Sequence, residues 1–192
     1  MNVLVLGCGM MGRAIAYDLS LFSGFETIII GDKNIQPRNS AKDFLKETNV
    51  DVIPVNADKS NEIKKHFQKV DVVISAVPYR FNFKLAKMAI ETTTHFVDLG
   101  GNNMIVENER SLFSKAKKSE VTIIPDSGLA PGLVSIITRD VVDHMDTVDS
   151  VKLRGGGLPR HPQPPLNYQI VFSPYGLINE YVEDAIILDH GK

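Results

Sequence analysis

The sequence predicts an α/β protein: a doubly wound parallel sheet with helices on both faces, followed by the start of a second unit with a new sheet. Three observations predict it. Short β-branched runs alternate with amphipathic stretches through the first 125 residues, the change of period expected of repeated βα units. Several runs, such as Ile28-Ile29-Ile30 and Val72-Val73-Ile74, are apolar on both faces, as central parallel strands covered by helices must be. After Asp126 the texture changes to turns rich in glycine and proline.

Strands are expected at Asn2 to Leu6, Thr27 to Ile30, Val52 to Val55, Asp71 to Ala76, His95 to Leu99 and Val121 to Ile124. The first is followed by a helix with Met11, Ile15, Leu19 and Phe22 on one face. Gly31 to Glu47 is expected to be a loop and then a short helix, because Pro37 and scattered apolar residues allow no more. Ser60 is the expected N-cap of a helix with Ile63 and Phe67 one turn apart. Phe81, Leu85, Met88 and Ala89 form one helical stripe, and Ile105, Leu112 and Ala116 another. Beyond Asp126 a turn at Ser127 to Gly132 leads into a helix on Leu133, Ile136, Ile137, Val141 and Val142, ending near His144. Asp149 to Leu153 alternates like a strand, and Gly155-Gly156-Gly157-Leu158-Pro159 breaks it. An irregular loop from Arg160 to Leu166 precedes a strand at Tyr168 to Phe172, a helix at Ser173 to Tyr181 and a strand at Ala185 to Leu188. The expected division is residues 1–126 for the first domain and 127–192 for a linker helix and an incomplete second domain.

Composition narrows the function classes. Apolar residues at 43% and charged residues at 23% exclude a disordered or fibrous chain. A formal charge of -2 with no lysine and arginine stripe removes the electrostatic footprint for nucleic acid or an anionic membrane, so a small-molecule partner is expected. The single cysteine, Cys8, excludes an intramolecular disulfide and a cysteine-based zinc site, which fits a reducing compartment and makes the cytoplasm the expectation. The apolar N-terminus lacks a preceding basic segment and is interrupted by Arg13, so no targeting peptide is expected. No run approaches the roughly 18 to 20 apolar residues of a membrane span. The histidines show no metal-ligand spacing, and no metal is expected.

Gly7-Cys8-Gly9-Met10-Met11-Gly12 follows a strand and opens a helix, and Asp32 closes the next strand 20 residues after Gly12. That context is the dinucleotide-binding fingerprint of a Rossmann fold. Gly7 makes the tight turn, Gly9 admits the pyrophosphate to the backbone, and Gly12 lets helix and strand pack closely. Free amides and the helix dipole then hold the phosphates without a basic side chain, with Cys8, Met10 and Met11 contributing backbone. Asp32 is expected to accept both hydroxyls of the adenine ribose, which favours NAD. A 2'-phosphate ~4 Å from that carboxylate would be disfavoured by on the order of 4 kcal/mol at an effective dielectric of about 20. Lys33 and Arg38 stand close enough to meet a 2'-phosphate, so NADP stays admissible, and Asp32 as a plain Asx turn is the alternative role. Ligands of open α/β sheets lie along the carboxyl ends of the strands. There Asp58 is placed on the adenine side and Ala76, Val77 and Pro78 on the nicotinamide side.

These segments resemble the saccharopine dehydrogenase family, and within it the lysine 6-dehydrogenase-like branch, over essentially the whole chain. The likeness is carried by residues 3–12, by Asp71 to Pro78, by Phe96-Val97-Asp98-Leu99-Gly100-Gly101 and, more specifically, by Ile124 to Gly132 and Gly156-Gly157-Leu158-Pro159 with Pro162 to Leu166. The resemblance implies a Rossmann domain followed by an α+β substrate and dimerisation domain, hence a homodimer. It also implies NAD(P)-dependent oxidation of a carbon–nitrogen bond in a lysine-derived amino acid. Saccharopine-forming members carry Asp and Cys where this chain has Ala130 and Gly155, which turns the expectation toward oxidative deamination of a terminal amine, hydride transfer and then imine hydrolysis. Family members run longer, so about half of the substrate domain is expected to be missing. A catalytically impaired nucleotide-binding module and a saccharopine dehydrogenase or reductase are the alternatives.

Such a reaction needs a general base, because hydride leaves only a carbon whose nitrogen lone pair is free, and an alkylammonium has a pKa of about 10.4. Asp98, at a strand's carboxyl end, is one candidate, with capping of the Gly100-Gly101 turn as its alternative role. His161 and Tyr168 are candidates for acid–base steps. Arg154 or Arg160 is the candidate grip on a substrate carboxylate.

Overall fold

The computed structural model describes residues 1–154, 159–169, 174–182 and 184. Six strands, β1 (Asn2–Leu6), β2 (Thr27–Asp32), β3 (Val50–Pro54), β4 (Val72–Ser75), β5 (His95–Asp98) and β6 (Ile123–Ile124), pair in the order β3-β2-β1-β4-β5-β6, every pair parallel. Strand order reverses between β1 and β4, and the crevice at that switch point opens beyond Leu6, which is level with Gly31 on one side and Ser75 on the other.

The helices are α1 (Met10–Phe22), α2 (Ile35–Phe44), α3 (Ser60–Phe67), α4 (Asn82–Thr92), α5 (Asn103–Arg110), α6 (Phe113–Lys118), α7 (Leu133–Asp143) and α8 (Pro174–Val182), with a 3-10 turn at Tyr79–Phe81. Strand alternation divides the core. Leu4, Leu6 and Val73 pack with Phe67, Leu85 and Phe96 on one face; Val5, Cys8 and Ile30 pack with Ala16, Ala41 and Leu45 on the other. Buried layers on both sides are what the doubly apolar runs demanded.

Several local expectations are corrected. Gly12 and Ala16 are the buried residues of α1, while Met11 is 52% and Phe22 79% exposed. The helix lies so close to the glycine loop that only small residues fit the contact. Ser60 is the first residue of α3 rather than its cap; Lys59 holds that place without a side-chain bond. The stripe from Ile105 to Ala116 is two helices, broken where the Ser111 hydroxyl donates to the Asn108 carbonyl. Residues 149–154 form no strand, and Val151 and Leu153 are about half exposed at 49% and 52%. Alternation makes a strand only where a neighbour supplies the hydrogen bonds. Tyr168 and Gln169 are irregular, while residues 155–158, 170–173 and 185–188 lie outside the described residues. Leu133, Ile136, Ile137 and Val141 of α7 are exposed rather than packed. Among the described residues no helix is long and apolar enough to cross a membrane.

Candidate functional site

The glycine loop joins β1 to α1 at the switch point. Gly7 has φ +102°, its N–H donates to the Gly31 carbonyl at 2.7 Å, and a Cβ there would lie 2.7 Å from the Ala76 carbonyl oxygen. Only glycine meets both conditions. A Cβ on Gly12 would collide with the Gly7 carbonyl. Gly9 differs: its backbone is ordinary, φ -68°, and a Cβ would meet nothing within 4 Å. Gly9 is also the N-cap of α1 and offers no side-chain acceptor, so the first amides of the helix face open space. Room beside uncapped amides at the positive end of a helix fits a diphosphate.

Toward β2 and β3 the crevice widens into a cavity of about 270 Å³ whose walls include Asp32, Lys33, Ala57, Asp58, Val77 and Arg80. Asp32 ties this wall to the loop: its Oδ2 accepts the Cys8 N–H at 3.0 Å, and its Oδ1 accepts the Asn34 N–H at 2.8 Å. Lys33 Nζ reaches Asp58 Oδ2 at 2.9 Å across the mouth, and that bond holds the Asp58 carboxyl below its ordinary value. One Arg38 guanidinium nitrogen donates to the carbonyls of Asp32 and Lys33 at 2.9 and 3.0 Å. The Arg80 guanidinium lies over the Phe81 ring, 4.7 Å from its centroid. Lys33 and Arg80 are thus the cations on the cavity wall, with Arg38 bonded to the backbone next to it.

Val77 and Pro78 line this same cavity from the β4 side, the branch expected to meet the nicotinamide, and the neighbouring Ala76 N–H donates to the Leu6 carbonyl at 2.8 Å. That segment is pinned from below by the buried Ser75 hydroxyl donating to Asn82 Oδ1 at 2.8 Å. The Cys8 thiol is 1% exposed and pushed up to about 12, mainly by burial, so the loop contributes backbone and no nucleophile.

The proposed catalytic side chains are not brought together. Asp98 is fully buried, and its Oδ1 accepts the Gly100 N–H at 2.7 Å, so its observed role is the turn. Arg154, Arg160 and His161 are exposed and Tyr168 is 39% exposed, and none makes a hydrogen bond or ion pair with a described residue. Two residues that sequence reasoning passed over do meet Asp98 and its turn. Glu109 on α5 is 2% exposed, and its carboxyl is within hydrogen-bonding reach of that of Asp98. Asn179 on α8 donates through Nδ2 to the Gly101 carbonyl at 2.9 Å. Burial together with the neighbouring Asp98 and Asp126 carboxylates pushes Glu109 up to about 8, and burial also raises Asp98. Asn179 left no signal. Glu109 did, since it occupies the empty position of the Ile105, Leu112 and Ala116 stripe. Among the described residues no group of three or more histidine, cysteine or acidic side chains is placed to hold a metal ion.

Residues 3–124 match the model of the saccharopine dehydrogenase NADP binding domain, and residues 128–192 that of the saccharopine dehydrogenase C-terminal domain. Over its full length the chain is 27% identical to the mitochondrial alpha-aminoadipic semialdehyde synthase of Mus musculus and 25% identical to the NADP(+), L-glutamate-forming saccharopine dehydrogenase of Saccharomyces cerevisiae. It spans 21% and 43% of those two proteins. The solved apo form of the latter enzyme overlays 74% of this chain and 30% of its own with a TM-score of 0.62 at 24% identity, a likeness of fold.

Proposed function

The chain belongs to the saccharopine dehydrogenase family, and from that premise we propose that it is a nicotinamide-dinucleotide-dependent oxidoreductase acting on a carbon–nitrogen bond of a lysine-derived amino acid. The observation that carries the reading is the glycine loop, whose open Gly9 and uncapped α1 amides form a diphosphate cradle at the switch point. NADP is the preferred dinucleotide. The NAD preference inferred from Asp32 alone is weakened because each oxygen of that carboxylate already accepts a backbone amide, while Lys33 and Arg80 stand on the wall of the same cavity. The matching domain model, named for NADP, supports the same choice.

The cofactor, when bound, accepts hydride. Of this chain's residues, α1 and Gly9 would position the diphosphate, Asp32, Lys33 and Asp58 the adenosine end, and Ala76, Val77 and Pro78 the nicotinamide end. A neutral amine is required for its carbon to release hydride, with the nitrogen lone pair forming the iminium; water then adds and ammonia departs. We place L-lysine or a similar terminal amine ahead of saccharopine, because Ala130 and Gly155 stand where the saccharopine-forming pattern has Asp and Cys. The proposal extends to a division at residues 1–126 and 127–192, to a homodimer through the latter and to a cytoplasmic site, the single cysteine supporting the last.

A second reading, nucleotide binding without turnover, is favoured by the enclosure of Asp98 and by the exposure of Arg154, His161 and Tyr168, none of which bonds to it. Purified protein is to be titrated with NADPH by fluorescence and incubated with NADP and either L-lysine or saccharopine. Lysine-dependent NADPH formation supports the first reading, and binding without reduction by either substrate supports the second. Failure to bind NADPH or NADH at millimolar concentration rejects both.

A further inference from the structure

Asp98 and Glu109 are the two carboxylic acids buried among the described residues, 0% and 2% exposed. Three of their four oxygens, Asp98 Oδ2 and both Glu109 oxygens, have no hydrogen-bond donor. Two ionised carboxylates cannot be enclosed side by side in that condition, because each lacks hydration and repels the other. One proton resolves it: a neutral Glu109 acquires a donor, and the neighbouring Asp98 has one carboxylate oxygen, Oδ2, left without one.

What this pair holds is the turn at the carboxyl end of β5. Asp98 Oδ1 accepts the Gly100 N–H at 2.7 Å, and the Asp98 main-chain carbonyl accepts the Ser127 N–H at 2.8 Å. Gly100 and Gly101 both take positive φ, +73° and +116°. Gly101 packs on Tyr79, since a Cβ there would come 3.3 Å from the ring. Tyr79 directly follows Pro78, on the branch assigned above to the nicotinamide.

We propose that Glu109 is a positioning residue: as a neutral acid it donates to Asp98 Oδ2, directs Asp98 Oδ1 onto the Gly100 amide, and so keeps the Gly100-Gly101 turn against Tyr79 beside the nicotinamide branch. The last step rests on the proposed function; the carboxyl pair itself does not. The charged groups facing Glu109 are Asp98 from β5 and Asp126 from the segment after β6. Lys117 of α6 lines the groove beside it from an exposed position, Arg110 of α5 is paired with Glu107 at 2.8 Å, and the His95 ring of β5 accepts the Thr122 N–H at 3.0 Å. None of these supplies Glu109 with a compensating cation.

A carboxyl whose folded value lies above its unfolded one binds more protons folded than unfolded. Its favourable contribution is therefore complete below the ordinary value near 4.5 and is lost as pH rises toward 8. The test measures thermal unfolding and NADPH affinity of wild type, Glu109→Gln and Glu109→Leu between about pH 5 and about pH 9. Adenosine 2',5'-bisphosphate, which lacks the nicotinamide half, serves as the control ligand.

Wild type is expected to lose unfolding midpoint and several-fold of NADPH affinity as pH rises. Glu109→Gln, which keeps a donor and cannot ionise, is expected to hold wild-type affinity with most of the pH slope removed. Glu109→Leu is expected to bind NADPH about tenfold more weakly at every pH while binding the bisphosphate normally. An unchanged unfolding slope in Glu109→Gln overturns the shared proton, and Glu109→Leu binding NADPH as tightly as wild type overturns the positioning role. Should wild type bind neither nucleotide, the proposed function fails while the unfolding slope still decides the carboxyl pair.

Discussion

Gly9→Asp should make the protein more stable and a worse nucleotide binder. Gly9 caps α1 with φ -68° and ψ -174°, extended backbone open to any residue, and a side chain there meets no heavy atom within 4 Å. An aspartate supplies the missing side-chain acceptor for the second or third amide of α1 and a negative charge at the positive end of the helix. Together these contribute about 0.5 kcal/mol, a rise of roughly 1 to 2 °C in a chain of this length. The same carboxylate stands where the diphosphate is proposed to lie. At about 5 Å the bare repulsion is on the order of 3 kcal/mol per unit charge at an effective dielectric near 20, and solvent screening reduces it to roughly 2 kcal/mol. The expected loss of NADPH affinity is therefore about thirtyfold. Differential scanning fluorimetry and NADPH titration read the two effects separately. A variant that is stabilised yet binds NADPH within about twofold of wild type refutes the placement of the diphosphate on this loop.

Gly12→Ala should do the reverse at the level of the fold. Its Cβ would collide with the Gly7 carbonyl, forcing α1 off β1 at a cost of about 1 to 3 kcal/mol, visible as a lower midpoint in chemical denaturation. Lys33→Ala should weaken NADP by about fivefold relative to NAD, because a half-exposed cation that now meets Asp58 at 2.9 Å is the nearest partner for a 2'-phosphate; competition titrations with the two nucleotides measure the ratio. Cys8, enclosed and pushed up to about 12, should resist iodoacetamide in the native protein at about pH 8 and react fully after denaturation, as mass spectrometry would show.

The sheet was legible because a parallel strand buried on both faces writes a continuous apolar run, as β1, β2 and β4 do, and six short runs, each followed by a helix-spaced stretch or a turn, leave few topologies. The face of α1 was not. Met11, Ile15, Leu19 and Phe22 obey the helical period, yet Met11 and Phe22 point outward, because contact distance at Gly7 and Gly12 selects small residues over large ones. Periodicity reports that a helix has an apolar side and is silent on how close its neighbour comes. The same limit applies to residues 149–154, whose alternation found no partner strand among the described residues.

The geometry of the glycine loop was legible for a different reason. A diphosphate cradle is made of backbone, and backbone geometry of this kind restricts sequence to glycine at Gly7 and Gly12, where a Cβ would strike a carbonyl oxygen. The turn beyond β5 is held instead by contacts between separate elements: Asp98 with Glu109, and the Gly101 carbonyl with Asn179. No spacing rule reaches across 78 residues from Gly101 to Asn179. Glu109 alone could have been found, because a carboxylate at a helical position otherwise held by Ile105, Leu112 and Ala116 must either face solvent and break the stripe or be buried and seek a proton. The structure takes the second course, and with it Asp98 passes from a candidate base open to substrate to the acceptor that shapes the turn beneath it. A base for the proposed chemistry must then come from a residue that reaches the crevice from above, and the exposed positions of His161 and Tyr168 leave both free to be tested by substitution to Gln and Phe once turnover is measured.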